Sequence, residues 1–173
     1  AFKSLTFVLA IFCFHSYVIA ESNPHKFIDS QAQEMVSIIR NNQALYSNNP
    51  ELFKDKINTV FEPMVDFRRV GASVMGKKYY LAASKSQRLQ FIQSFKESLL
   101  DTYSSTLAQW GDQKIVTIFP EVSELKTTED VQQNLITSSN IYPITYKVRK
   151  DKNGNWLIIN ISANGVNLGL TLR

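Results

Sequence analysis

Between Leu89 and Trp110 the apolar residues recur at spacings of three and four. Ile92, Phe95, Leu99, Tyr103, Leu107 and Trp110 stack on one helical face, and Leu89, Phe91 and Leu100 widen the stripe. Gln90, Gln93, Lys96, Glu97, Asp101 and Ser105 take the opposite face. Ser84 followed three residues later by Gln87 has the form of a capping box, and Gly111 stands where a helix would end, so the pattern predicts a helix over residues 85–110. Taken alone, such a stripe describes ordinary core.

The preceding residues also read as helical. Residues 26–42 carry Phe27, Met35, Ile38 and Ile39, and Asn49-Pro50-Glu51 supplies an N-cap, a first-turn proline and an acid suited to the helix dipole. A second helix is expected over residues 50–61. Pro63 disfavours helical geometry at Glu62, so the chain should bend there before a third helix through Val65, Phe67, Val70 and Val74 that ends at Gly76. Gly71 falls inside that helix, where glycine costs about 1 kcal/mol relative to alanine. Close approach of another backbone would account for it.

After Gly111 the period shortens to two. Residues 113–119 mix Ile115, Val116 and Ile118 with polar positions, and residues 131–138 form a weaker second strand candidate. Tyr142, Ile144, Tyr146 and Val148 alternate with Pro143, Thr145, Lys147 and Arg149, as in a strand with one buried face. Asp151-Lys152-Asn153-Gly154 is a hairpin turn, and residues 156–163 return as the partner strand, with Trp156 and Ile158 on one face and Leu157, Ile159 and Ile161 on the other. Residues 165–173 begin a further apolar-periodic segment. The expected fold is α+β, a helical N-terminal half packed on an antiparallel sheet of about four strands. Because the chain starts without methionine and stops inside a periodic segment, it is expected to be a piece truncated at both ends.

The first residues change the picture of where the protein works. Lys3 precedes the uncharged run LTFVLAIFCF, and Val18-Ile19-Ala20 has the small and branched residues of a cleavage site, so residues 1–20 are expected to be a signal peptide removed after Ala20. The run is short for a membrane span, and Cys13 lies within it rather than at a lipoprotein cleavage site. Removing 20 of the 173 residues leaves 153, enough for a single domain, residues 21–173, with a real core. Cleavage takes the only cysteine and His15, leaving His25 near the new N-terminus in a segment expected to be loosely held. That argues against disulfides, a thiol nucleophile, histidine-based catalysis and His/Cys metal sites, so no catalytic or metal-ligating residues are assigned. The net charge of +4 becomes +3 without Lys3, and the short clusters Arg68-Arg69 and Lys77-Lys78 match no nucleic-acid motif.

The ordered string FEPMVDFRRVGASVMGKKYYLAASKSQRLQFIQSFKESLLDTYSSTLAQW over residues 61–110 resembles the MlaC family of periplasmic phospholipid carriers, also called toluene-tolerance proteins. The features that carry the resemblance are Asp66-Phe67, Gly76, the Tyr79-Tyr80 pair, Gln87-Arg88, Phe91, Phe95 and Tyr103. The later YPITYKVRKDKNGNWLIINISANGVNL resembles that family's final hairpin and the start of its last helix. Two departures are visible. Where the family has an aromatic residue followed by a basic one this chain has Tyr80-Leu81, and the C-terminal helix is missing.

The resemblance implies helices packed on a four-stranded sheet around a deep apolar pocket for lipid tails. It also implies transport through the periplasm between an inner-membrane transporter complex, MlaFEDB, and an outer-membrane MlaA–porin complex, maintaining lipid asymmetry without a cofactor. On that reading the lipid-binding wall comes from apolar residues facing the gap between helices and sheet: Val65, Val70, Val74, Tyr79, Phe91, Phe95, Leu99, Tyr103, Ile144, Tyr146, Val148, Trp156 and Ile158. The tyrosines are expected to line it with their rings and to hold their hydroxyls near a wet mouth. Lys77, Lys78, Lys85 and Arg88 are candidate docking residues. Two other classes remain open at this point: an enzyme on a cone-shaped α+β fold using Asp66 or Asp101 as general base, and an exported adaptor without a ligand pocket.

Overall fold

Two Asn-Pro steps start the helical half. The computed structural model describes residues 23–121 and 124–172, so the expected leader peptide and its cleavage site lie outside the described residues. Helix α1 is Pro24–Asn48 and α2 is Pro50–Met64. The Asn23 side chain accepts hydrogen bonds from the N–H groups of His25 and Lys26 at 2.8 and 3.2 Å, and Asn49 accepts one from Leu52 at 3.1 Å. Each following proline sits where the helix has no use for an N–H donor. The first helix continues past the predicted Asn42 because Leu45 and Tyr46 still pack on the second helix, with Tyr46 edge-on to Phe53 at 5.7 Å.

The expected bend falls later than the sequence suggests. Pro63 lies in the last turn of α2, where few helical hydrogen bonds remain to be lost, and the chain leaves helical geometry only at Val65 (φ −114°, ψ 130°). Val65 therefore belongs to no helix: it pairs in parallel with Ile158, and the Asp66 N–H donates to the Ile158 carbonyl at 2.9 Å. Asp66 then caps α3, Phe67–Ala82, by accepting from the Arg69 N–H at 3.0 Å. Gly76 interrupts α3 with φ 77° and ψ 154°, a conformation open to glycine at little cost, and helical turns resume beyond it. Helix α4, Lys85–Ala108, begins with the predicted capping box, Ser84 and Gln87 exchanging hydrogen bonds at 2.8 and 3.2 Å. Gly71 faces α4, and a methyl group there would lie 2.9 Å from Cγ1 of Ile92. The close neighbour is a side chain, not the backbone expected.

Five antiparallel strands follow in meander order: β1 Lys114–Ile118, β2 Thr128–Ile136, β3 Ile141–Lys150, β4 Trp156–Ala163 and β5 Val166–Asn167. The β3–β4 turn is held by Asp151, whose carboxylate accepts from the N–H groups of Asn155 and Asn153 at 2.9 and 2.8 Å; those bonds hold its pKa below the usual value. Asn164 (φ 49°) and Gly165 (φ 78°) form a two-residue loop that turns β4 back into β5. A strand and a short 3-10 turn, Leu170–Leu172, thus stand where the family resemblance implies the start of a helix. In β4 a bulge shifts the register, with Val148 opposite Ile158 and Lys147 opposite Asn160. The extra residue reverses the alternation, so Ile161 and Ala163, opposite Tyr146 and Ile144, share a face with Trp156 and Ile158.

The helices meet the sheet at its margins. Helix α1 packs against β1 and β2, α2 and α3 pack against β4, and the main packing partners of α4 are the other three helices. A buried chain of hydrogen bonds ties α1 down: Gln133 Nε2 donates to Thr117 Oγ1 at 2.8 Å, and Thr117 Oγ1 donates to Asp29 at 2.7 Å. Lys54 bridges Glu51 and Asp101, and Lys96 reaches Glu62 at 3.0 Å, linking α2 to α4. The two carboxylates hold the Lys54 pKa up at about 12. The apolar core comes in two pieces. One gathers Ile28, Val65, Phe67, Val74, Phe95, Leu99, Val131, Val148, Trp156 and Ile158; the other, among the helices, is centred on Ile39, Phe53 and Ile57.

His25 departs from expectation. It is 4% exposed in the first turn of α1, 6.4 Å from the Phe119 ring, and its Nδ1 is sealed without a partner. Burial depresses its pKa, against a weaker pull upward from Glu129. The folded state therefore favours neutral imidazole, and stability is fully present above about pH 6.5. As pH falls below that, the unfolded chain takes up the proton first, and stability should drop until the lower folded pKa is reached. Unfolding free energies measured between pH 7 and pH 5 should show this slope, and His25→Gln should flatten it. For the α3–α4 contact, Gly71→Val should cost about 1–3 kcal/mol by overpacking against Ile92. Chemical denaturation should find that cost reduced in an Ile92→Ala background.

Candidate functional site

Between the two core pieces lies a cavity of ≈ 240 Å³. Helix α4 contributes Phe95, Leu99, Leu100, Tyr103, Ser104 and Leu107, α2 contributes Ile57, Phe61 and Met64, and α1 contributes Met35. The sheet answers with Ile144 and Tyr146 of β3 and Ile158, Asn160, Ile161 and Ala163 of β4, while Val65, Val70, Leu168 and Gly169 close the side. A second chamber of ≈ 420 Å³ extends under α1, lined by Ile28, Ala32, Val36, Ile39, Trp110, Ile115 and Leu135 among others. Met35, Met64, Tyr103, Leu107, Ile144, Tyr146, Ile158, Ala163 and Leu168 border both chambers. The two therefore form one forked apolar cleft.

Of the residues expected to form the wall, Val65, Val70, Phe95, Leu99, Tyr103, Ile144, Tyr146 and Ile158 do line it. The other five are placed elsewhere. Val74, Val148 and Trp156 lie in solid core, 3%, 0% and 2% exposed, because the helical layer closes onto the sheet toward the β3–β4 turn. Phe91 stacks on Phe95 with ring centroids 6.2 Å apart, outside the lining. Tyr79 lies beyond the Gly76 break and is 64% exposed.

The sequence reading missed Ile161 and Ala163, which the β4 bulge brings inward, and the α1 and α2 residues Met35, Ile57, Phe61 and Met64. Their helical spacing was visible, but not that their faces looked onto a gap. The tyrosines also differ from expectation: Tyr146 is deep, and burial pushes its hydroxyl pKa far above the ordinary range.

Charged groups stay outside this cleft. Asp66 is a helix cap ion-paired with Arg69 at 3.2 Å, and Asp101 pairs with Lys54 at 2.6 Å on the exposed flank of α4. Neither lines the cavity, so the geometry gives no support to either as a general base there. The cavity likewise gives no support to an adaptor with a solid core. Lys77, Lys78 and Lys85 are exposed, whereas Arg88 lies over the Tyr80 ring at 4.2 Å and donates to the Tyr80 carbonyl. A separate basic cleft collects Arg68, Arg69, Arg149, Lys150 and Lys152 with Asp66 and Asp151. No helix among the described residues is long and apolar enough to cross a membrane.

An antiparallel meander roofed by four helices that leave a forked apolar cleft over its middle defines an α+β cavity protein. The chain belongs to the MlaC family, whose model, described as MlaC protein, matches residues 29–173. It is 29% identical over 157 residues to the toluene tolerance protein ttg2D of Pseudomonas putida, covering 90% of this chain and 72% of that one. It is 28% identical over 175 aligned positions to the intermembrane phospholipid transport system binding protein MlaC of Haemophilus influenzae, covering 96% and 79%. The fold matches that of a phospholipid-binding protein from Ralstonia solanacearum solved with a phospholipid, with a TM-score of 0.76, 22% identity and coverage of 85% of this chain and 81% of that one.

Ala163 faces both chambers, so a large side chain there can fill space without displacing packed core. Ala163→Phe should weaken binding of an apolar probe such as N-phenylnaphthylamine about tenfold. Its melting temperature should stay within about 4 °C of the parent, equivalent to about 1 kcal/mol. Probe titration and thermal denaturation check the two halves of this expectation.

Proposed function

We propose that this protein is a phospholipid carrier of the periplasm, exported after removal of residues 1–20 and working without a cofactor or a catalytic step. Its route would run between an inner-membrane transporter complex, MlaFEDB, and an outer-membrane MlaA–porin complex. The observation that carries this reading is the forked cleft, whose lining is almost wholly apolar. The names and ligands of the relatives point the same way. The lipid-contacting residues in this proposal are the cavity-lining subset Val65, Val70, Phe95, Leu99, Tyr103, Ile144, Tyr146 and Ile158, joined by Ile161 and Ala163.

The energetics suit the role. At about 0.8 kcal/mol per methylene, two acyl chains with about thirty methylenes would cost roughly 24 kcal/mol to move exposed through water. A carrier has to cover them. The protein gains in turn: at about 24 cal/mol per Å³, leaving the 240 Å³ chamber without an apolar occupant costs about 6 kcal/mol, against a typical domain stability of roughly 5–15 kcal/mol. A passive cleft sets no direction of transport. Direction follows from the energetics of the partners at each membrane.

Protein isolated under native conditions should carry phospholipid in near-stoichiometric amount, detected by organic extraction and mass spectrometry. Native preparations without lipid, combined with failure to take up phospholipid from vesicles, would overturn the proposal.

A further inference from the structure

Tyr146 places a hydroxyl in a mostly apolar wall, where Tyr103, Ser104 and Asn160 are the other polar side chains of the first chamber. Its side chain projects from the middle of β3, opposite Val131 on β2 and Ile161 on β4, and it borders both chambers. Its hydroxyl has no hydrogen-bond partner among the described residues. The hydroxyl is also not sealed in protein. The sealed, unpartnered side-chain atoms among the described residues are His25 Nδ1, Asn58 Oδ1, Trp110 Nε1 and Gln133 Oε1. The Tyr146 oxygen is therefore not closed off, and its side chain lies on the wall that both chambers share.

A donor in such a position constrains the occupant. Hydrocarbon laid against it would take water away and give nothing back, leaving a buried donor unsatisfied. An occupant with a hydrogen-bond acceptor at the fork would satisfy it. A two-tailed glycerolipid has that pattern, because its tails diverge from neighbouring ester groups whose carbonyl oxygens accept hydrogen bonds.

Resting on the lipid-carrier reading, we propose that Tyr146 is a specificity-determining residue whose hydroxyl donates to an ester carbonyl of a two-tailed lipid, with one tail in each chamber. Tyr146 thereby selects ester-linked over ether-linked lipids, since an ether analogue of the same length lacks the carbonyl. On the shared wall Met35, Met64, Ile144 and Ile158 offer apolar contact alone, and Tyr103 of α4 carries the one other hydroxyl among its described residues.

The test uses the full chain stripped of lipid and two probes: dipalmitoyl phosphatidylglycerol and the dihexadecyl ether lipid with the same head group. The parent should bind the diester about tenfold more tightly than the diether. Tyr146→Phe, which removes no protein hydrogen bond and should fold, should bind both alike and take the diether better than the parent does. Equal affinities in the parent, or the same diester preference in Tyr146→Phe, would overturn the inference while leaving the carrier reading intact. Failure of the parent to bind either lipid would instead overturn the carrier reading, and this inference with it.

Discussion

The helical layer touches the sheet at its two margins and spans its middle. On one side α1 is fastened to β1 and β2 through the Asp29–Thr117–Gln133 chain. On the other, the link between α2 and α3 is stitched to β4, where Val65 pairs with Ile158 and the Asp66 N–H reaches the Ile158 carbonyl. Helix α4 rides mainly on the other helices, held to α2 by Lys54 and Lys96. Its inner face therefore looks across a gap at β3 and β4. Interiors ordinarily pack to near crystalline density. Here the fastening at both margins keeps two apolar surfaces apart, and that separation is the cavity.

The divided core follows from the same arrangement. Toward the β3–β4 turn, Trp156, Val148, Val131 and Ile158 form a fully packed block with Phe95 and Val74. Among the helices, Phe53, Ile39 and Ile57 form a smaller one. Leu99, Phe95, Ile57 and Ile158 belong to both roles, packing on one side and facing the gap on the other. Stability and ligand space thus share side chains. A substitution on the gap-facing side removes fewer packed neighbours than one at Trp156 or Val148.

Much of the architecture was legible in the sequence because its signals are local. The period of three and four located α4, Ser84 and Gln87 marked its start, and alternation from Tyr142 to Val148 gave β3. The Asn164-Gly165 pair is a local hairpin signal that the sequence reading missed, since the family resemblance implies the start of a helix in the residues after it. The wall was harder, since a face that meets a gap and a face that meets core have the same composition. That ambiguity placed Val74, Val148 and Trp156 in the wall when they are core. Tyr79 shows a second limit: nothing at Gly76 says which way the chain leaves the break, and the tyrosine beyond it is exposed.

The bulge in β4 acts on the strand as a one-letter insertion acts on a reading frame. Up to Ile158, even-numbered positions point inward, Trp156 into solid core and Ile158 into core and cavity wall alike. After it the frame has moved, and the odd-numbered positions Ile161 and Ala163 spell cavity wall. The cavity-facing side of one short strand is thereby carried across two frames. Loss of the single inserted residue would turn every side chain downstream of it to the other face.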